Sequence, residues 1–368
     1  MTVALDTGIK NARNVSRFVF GAGAVESINE LLSRRRDKYG GHVILLVDEY
    51  FKDNYQSLDK IERHQQDQWI YVSTKYEPTT DAIDSICHQV KKAQGIKACG
   101  VVGIGGGSTL DTAKCVSNLL TNHGNASDYQ GWDLVSMPGL YKIGVPTLSG
   151  TGSEATRTCV MTNKSTGLKL GMNSEYTVFD QLILDPDLTS TAPPNQYFFS
   201  GMDCWIHCVE ALSGAYRNPV GDAFSRQALG LCREVFGSGE MMSGYNREKL
   251  MVASYLGGSA IAMSYVGLVH PFSAGLSVVL GMHHCIANCI VMASMKDFYP
   301  EPYREFMDFL KVNDINIPHG VCEDLSDDEF EALYRATIVH EKPLLNALGS
   351  RFSEVLNRGR VRQIFEAM

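Results

Sequence analysis

Along the first half of the chain, short apolar runs alternate with segments in which apolar residues recur every three or four positions. SRFVFGAGAVESINELLSRRR reads as a strand, a glycine turn and an amphipathic helix, and HVILLVDEY as a strand that is apolar on both faces. DQWIYVSTKY gives the next strand and PTTDAIDSICHQVKKAQG the next helix, with Thr80 as the expected cap. ACGVVGIGGGSTLDTAKCVSNLLT repeats the order strand, glycine loop, helix; YKIGVPTLSGTGSEATRTCVMTN adds a strand and a second glycine-rich loop. Alternation of this kind predicts a doubly wound α/β sheet. QLILDPDLTSTAPPNQYF reads as an irregular stretch closed by Pro193-Pro194, after which helical patterns dominate and strand signals are few. The expected division is an α/β domain over residues 1–190 and an all-α domain over 191–368, with DDEFEALYRATIVH and GRVRQIFEAM as peripheral helices of the tail.

A net charge of −8 argues against an electrostatic nucleic-acid surface. The compact basic run Arg34-Arg35-Arg36 falls at a helix end, where cations suit the dipole and solvent can reach them. The ten cysteines form no Cys-x-x-Cys pair and no disulfide framework; thiols inside apolar segments (Cys99, Cys115, Cys232) pack as small hydrophobes and suit a reducing cytosol. The opening MTVALDTGIKNARN lacks a basic-then-apolar signal pattern, and no apolar run approaches the length of a membrane span. The expectation is a soluble, cytoplasmic protein with a small-molecule substrate.

Four polar residues in the helical half suggest chemistry. Asp203 and His207 stand four apart in GMDCWIHCVEA, so a helix projects them from one face. His270 follows in GLVHPFSAG and His284 in GMHHCIAN. One carboxylate and three imidazoles suit a borderline divalent ion, Zn²⁺ or Fe²⁺. His270 and His284 are fourteen residues apart, roughly 21 Å of rise on one straight helix, which no single ion bridges. The chain must therefore turn back between them, and Pro271, Gly275 and Gly281 offer breaking points. Cys285 and Cys289 form a rival ligand set.

In the first half, Gly105-Gly106-Gly107-Ser108 follows the strand VVGI and opens a helix. Glycines let a phosphate approach the backbone, and the helix N-terminus offers N–H groups and a positive dipole end. The run is neither Gly-x-Gly-x-x-Gly nor a loop ending in Gly-Lys-Ser/Thr, which disfavours a nucleoside triphosphate. Asp48 ends the strand VILLVD, where a carboxylate can accept from an adenosine ribose and repel a 2′-phosphate, favouring NAD over NADP. The second loop, Gly150-Thr151-Gly152-Ser153-Glu154, carries hydroxyls for phosphate or carboxamide, and the strained Gly-x-Ser-x-Gly elbow of hydrolases is absent.

With these segments assembled, the chain resembles the iron-containing (group III) alcohol dehydrogenases. The resemblance rests on FGAGAVESI, GGGSTLDTAK, PTLSGTGSEATR, LDPDLT, GMDCWIHCVEA, GLVHP and HHCIAN, in family order. It implies a Rossmann-like dinucleotide domain, a helical metal-binding domain, and metal and cofactor meeting in the cleft between them. It implies metal ligands at Asp203, His207, His270 and His284, and a phosphate loop over Gly105, Gly106, Gly107 and Ser108 with Asp111 on the following helix. Nicotinamide-side contacts then fall on Thr147, Leu148 and Thr151, and a cofactor-contacting lysine on Lys169. Many members carry a further histidine four residues after the third ligand; here that position is Ala274, and His283 replaces the usual proline before the last ligand. Leu148 stands where the family has a second threonine.

The implied reaction is a metal-assisted oxidation of a primary alcohol to an aldehyde, with hydride passing to a nicotinamide. The implied substrate is the terminal alcohol of an eight-carbon sugar acid, whose aldehyde a PLP aminotransferase would consume. Arg157 and Lys169 are candidates for its carboxylate. The alternatives are a dehydrogenase of small alcohols or diols, of the glycerol-dehydrogenase kind, a sugar-phosphate lyase on the same scaffold, and a catalytically silent nucleotide-binding protein. A homodimer is the expected assembly.

Overall fold

The computed structural model describes residues 13–92 and 97–368. The opening segment MTVALDTGIKNA and the last residues of the PTTDAIDSICHQVKKAQG pattern lie outside the described residues. The chain divides into two compact units, which meet between Ala192 and Pro193.

The first unit carries β1 (Arg17–Phe20), α1 (Ser27–Tyr39), β2 (His42–Asp48), β3 (Gln68–Val72), α2 (Thr80–Lys92), β4 (Ala98–Gly105) and α3 (Gly107–Leu119). It continues with β5 (Gly131–Trp132), β6 (Lys142–Pro146), β7 (Thr158–Asn163), β8 (Leu168–Asn173) and β9 (Gln181–Leu184). Six strands form a sheet in the order β1-β9-β6-β4-β2-β3, and every pairing in it is parallel. Helices cover both faces. Ile28 and Leu32 of α1 pack on Val43, Leu45, Val102 and Ile104, whereas α3 crosses the opposite face at Gly103, where an added Cβ would sit 2.7 Å from that of Ala113. This is the doubly wound architecture that the alternating pattern predicts.

Several local expectations need correction. Thr79, not Thr80, accepts from the Ala82 N–H at the start of α2, and Thr80 is buried. QLIL is no irregular stretch but a fully buried strand, β9, that joins β1 to β6. The residues after the second glycine loop, for which the pattern names no element, hold an antiparallel pair, β7 with β8, in a second sheet ordered β5-β8-β7. Burial alternates residue by residue along β7, and Gly167 at φ 64 turns the chain into β8. Arg35 and Arg36 are not a solvated helix end: Arg35 Nε donates to the Cys99 carbonyl, and Arg36 pairs with buried Asp67.

The second unit is helical: α4 (Pro194–Ser213), α5 (Pro219–Gly237), α6 (Gly244–Met263), α7 (Val269–Leu280) and α8 (His284–Met292). Then follow α9 (Pro300–Val312), α10 (Asp327–Ile338), α11 (Glu341–Leu348), α12 (Phe352–Val355) and α13 (Arg358–Glu366). Fifteen of the twenty residues of α4 are buried, so it runs through the core of this unit. Gly201 lets α5 and α6 approach α4 closely. We expect Gly201→Ala, whose Cβ would lie 2.5 Å from Phe236 Cζ and 2.9 Å from Leu250 Cδ2, to destabilise by about 1–3 kcal/mol through overpacking. Scanning calorimetry checks this, and an unchanged melting temperature would show that the contact yields freely.

Candidate metal centre and nucleotide loop

The turn required between His270 and His284 occurs at one place. α7 ends at Leu280, Gly281 adopts the left-handed conformation at φ 68, and α8 begins at His284. Pro271 does not break α7, because in the first turn its missing N–H has no helical partner to lose. Gly275 stays helical and gives room to the Phe365 ring, 3.2 Å from where a Cβ would sit. Helix reversal at Gly281 thus brings the first residue of α8 beside the first turn of α7.

Three imidazole Nε2 atoms face the Asp203 carboxylate on α4. His207 Nε2 lies 3.4 Å and His270 Nε2 3.3 Å from Oδ1, and His284 Nε2 lies 3.8 Å from Oδ2. Donors about 2.0–2.2 Å from a tetrahedral ion stand about 3.4 Å apart, so these separations match the edges of such a shell. Donor atoms of Asp203, His270 and His284 all lie within 4.8 Å of one another, while His207 stands outside that tighter group. The His207 and His270 rings stack, with centroids 4.6 Å apart and planes 16° from parallel. Behind them, His207 Nδ1 is buried with no hydrogen-bond partner, so its only ring nitrogen with a neighbour is the one aimed at Asp203. The donor set fits a divalent ion.

Electrostatics support this. Burial pushes the His207 imidazole down to about 4 against the pull of Asp203, which leaves a lone pair available at neutral pH. Burial raises the Asp203 carboxyl, but His207, His284 and His270 outweigh it and hold the group well below the usual carboxylate range. His270 differs: burial opposes its charge, yet Glu210 and Asp203 overcome this and lift the imidazole to about 9, so a bound ion would have to displace a proton there.

Sequence reasoning missed two neighbours. Glu210, three residues after His207 on α4, accepts from His270 Nδ1 at 2.5 Å. Asn288, four residues after His284 on α8, donates to Asp203 Oδ1 at 2.7 Å and lies 3.2 Å from His284 Nε2. Both follow a ligand at helical spacing, which is the signal that could have found them. The rival thiols are peripheral: Cys285 Sγ reaches 3.9 Å from Asp203 Oδ2, and Cys289 is fully buried with its thiol pushed far up by burial. His283 is exposed just before α8, and Ala274 is buried one turn beyond His270.

In the first unit, the C-terminal ends of adjacent strands β2, β4 and β6 bring Asp48, Gly105–Gly107 and the Thr147–Thr151 loop together. Thr147 N donates to the Gly105 carbonyl. A Cβ on Gly105 would lie 3.0 Å from that of Asp48, one on Gly106 3.1 Å from Leu148 Cδ1, and one on Gly107 2.9 Å from Thr151 Oγ1. Gly106 is the N-cap of α3 and supplies no side-chain cap, so the first N–H groups of the helix are left for an anion. Asp48 already accepts from Tyr50 N and Thr74 Oγ1, and burial raises its carboxyl. A carboxylate has capacity for a further donor.

Other residues of the expected cofactor set make internal contacts. Asp111 accepts from Ser153 Oγ at 2.5 Å and Val160 N at 2.8 Å, tying α3 to the second glycine loop and to β7. Ser108, in the first turn of α3, offers its carbonyl to Thr112 Oγ1. Lys169 is buried on β8 and pairs with Glu77 at 2.8 Å. Arg157 pairs with Asp133.

An ion held by imidazoles and a carboxylate can polarise an alcohol or carbonyl, but it cannot itself accept a hydride. The glycine loop at the strand ends is built for a carrier that can, so fold and site together define a metal- and nucleotide-dependent dehydrogenase. Comparison with known proteins identifies the family. The model for iron-containing alcohol dehydrogenases matches residues 15–186, and that for their C-terminal region matches residues 198–314. Over 268 residues the chain is 33% identical to a sulfoacetaldehyde reductase of Bilophila wadsworthia, covering 71% of this chain and 68% of that one. It is 30% identical over 281 residues to an NAD-dependent methanol dehydrogenase of Bacillus methanolicus, covering 74% and 72%. The fold superimposes on a crystal structure of 1,3-propanediol oxidoreductase with a TM-score of 0.79 at 23% identity, over 97% of this chain and all of that one. The chain belongs to the iron-containing alcohol dehydrogenase family, and is an NAD-dependent oxidoreductase acting on CH–OH groups. The silent nucleotide-binding alternative is thereby set aside. No helix among the described residues is long and apolar enough to cross a membrane.

The close approach of Gly107 to Thr151 makes a specific prediction. Gly107→Ala forces Thr151 aside, and we expect NAD⁺ binding to weaken about tenfold, or ~1.4 kcal/mol. Adding Thr151→Ala, which removes the Oγ1 and Cγ2 atoms the new methyl meets, should recover only part of the loss, because Thr151 also belongs to the expected nicotinamide-side contacts. Fluorescence titration with NADH checks both variants; equal affinity of Gly107→Ala and the parent protein would contradict the packing argument.

Proposed function

We propose that the chain oxidises the primary C8 alcohol of 3-deoxy-D-manno-octulosonate (Kdo) to an aldehyde with NAD. The product would supply a PLP aminotransferase that makes 8-amino-Kdo for lipopolysaccharide. Ala274 carries this reading. One turn beyond His270, a buried methyl group takes up less room than an imidazole would, which suits a substrate larger than a short alcohol. Arg157 is the cation best suited to the sugar-acid carboxylate, because its present partner Asp133 is 67% exposed and can be exchanged for a ligand group. Lys169, held at 5% exposure against Glu77, is less suited to that role and fits a structural or cofactor contact.

In this reading Asp203, His207, His270 and His284 hold Fe²⁺ or Zn²⁺. The N–H groups of Gly107 and Ser108 receive the pyrophosphate, Asp48 accepts from the adenosine ribose, and Thr147, Leu148 and Thr151 line the nicotinamide side. When bound, a divalent ion would supply Lewis acidity toward the alcohol oxygen and NAD would supply the hydride acceptor. Ala274 offers no group for proton transfer and His283 faces solvent, so neither side chain would carry the alcohol proton away. The proposed assembly is a homodimer in the cytoplasm.

A second reading is favoured by the sulfoacetaldehyde reductase and methanol dehydrogenase relatives: interconversion of a short polar alcohol and its aldehyde. Metal-loaded protein incubated with NAD⁺ and Kdo should produce NADH and a trappable C8 aldehyde. Turnover of a short alcohol or diol with none of Kdo would overturn the substrate assignment. Refilling the methyl site with Ala274→His should reduce kcat/KM for Kdo by about tenfold or more, ~1.4 kcal/mol, and spare 1,3-propanediol; equal losses on both substrates would remove Ala274 from the argument. His270→Ala and His284→Ala should each lose bound metal and about a hundredfold or more in turnover, as metal analysis and NADH absorbance would read.

A further inference from the structure

Glu210 is fully buried, and both of its carboxylate oxygens are committed. Oε1 accepts from the Val269 N–H and Oε2 from His270 Nδ1, each at 2.5 Å. Val269 is the first residue of α7, and Leu268 at its N-cap gives no side-chain cap. One carboxylate therefore caps α7 and grips the next side chain along. The Tyr299 hydroxyl accepts from the Leu268 N–H, so adjacent backbone donors at the start of α7 are both occupied.

We propose that Glu210 is a positioning residue that fixes the tautomer and aim of His270. With Nδ1–H donating to Glu210, the proton cannot reside on Nε2 of the neutral ring, and the Nε2 lone pair is left facing Asp203, 3.3 Å away. This inference rests on the metal-dependent reading and assigns a function to a residue outside the four donors. Glutamine tests it closely, since it keeps the size of Glu210 but converts one acceptor into a donor. If the new amide nitrogen faces Val269, two donors collide. If it faces His270, Nδ1 must accept, the proton moves to Nε2 and the metal-facing lone pair is lost.

The experiment measures Zn²⁺ affinity by chelator competition on the metal-free full chain, for the parent protein, Glu210→Gln, Glu210→Asp and His270→Ala. NADH binding serves as the control for folding. Glu210→Gln should bind Zn²⁺ about 10–100-fold more weakly with NADH affinity unchanged, and Glu210→Asp, which keeps two acceptors, should recover part of the loss. Parent-like affinity in Glu210→Gln alongside loss in His270→Ala would overturn the positioning role and leave the metal reading intact. Parent-like affinity in His270→Ala would overturn both. Should Glu210→Gln fail to fold, ¹⁵N-histidine NMR of the zinc-loaded parent protein decides: a strongly hydrogen-bonded Nδ1–H on His270 supports the proposal, and a proton on Nε2 rejects it.

Discussion

Burying an ionised carboxylate costs several kcal/mol unless hydrogen bonds or opposite charge replace the lost water, and the Asp203 side chain is only 1% exposed. The arrangement of the surrounding helices follows from that constraint. α4 must carry His207 one turn on, α7 must begin where His270 can reach, and α8 must start at His284, so that Asn288 one turn later donates to the same carboxylate. Gly281 makes the last requirement possible, because a left-handed residue reverses the chain within three positions. The same geometry that tolerates the charge also produces a metal-binding donor set. Stability and function therefore draw on the same contacts here, and a change that relaxes one alters the other.

The nucleotide loop meets its electrostatic demand in the opposite way. Its anion-binding capacity comes from backbone N–H groups at the start of α3, with Gly106 as a cap that contributes no side chain. What holds the loop in shape is packing by Leu148 and Thr151 from the loop that follows β6, and Asp111 anchors that second loop through Ser153. Leu148 replaces a hydroxyl that the family pattern provides. Its Cδ1 fits against Gly106, so this position supports the loop by contact where a threonine would offer a hydrogen bond. Parallel pairing of β2, β4 and β6 makes the arrangement possible by placing three strand ends side by side.

The parts that sequence reveals are those governed by local rules. Glycine loops, buried parallel strands and the helical spacing of Asp203 and His207 need no tertiary information, and they led to the sheet and to the donor set. The parts that stayed hidden depend on partners distant in sequence. QLIL is four residues long and is a strand only because β1 and β6 lie on either side of it. The β7–β8 hairpin was hidden by the glycine-rich segment before it, and Arg36 could not be read as an ion pair without Asp67, thirty-one residues away. Glu210 and Asn288 were masked differently: a lone carboxylate or amide on an apolar helix is unremarkable until the imidazole it faces is known.

Charge balance gives the helical site its character. Asp203 and Glu210 place two carboxylates within two turns of α4; His207, suppressed to about 4 by burial, contributes no charge at neutral pH, and His270, lifted to about 9 between them, offsets one of the two. Ala274 adds no dipole or charge to this balance, so an imidazole introduced there would enter a site whose donors are already assigned. Asp203 and Glu210, through the imidazoles they face, set the charge of the helical site.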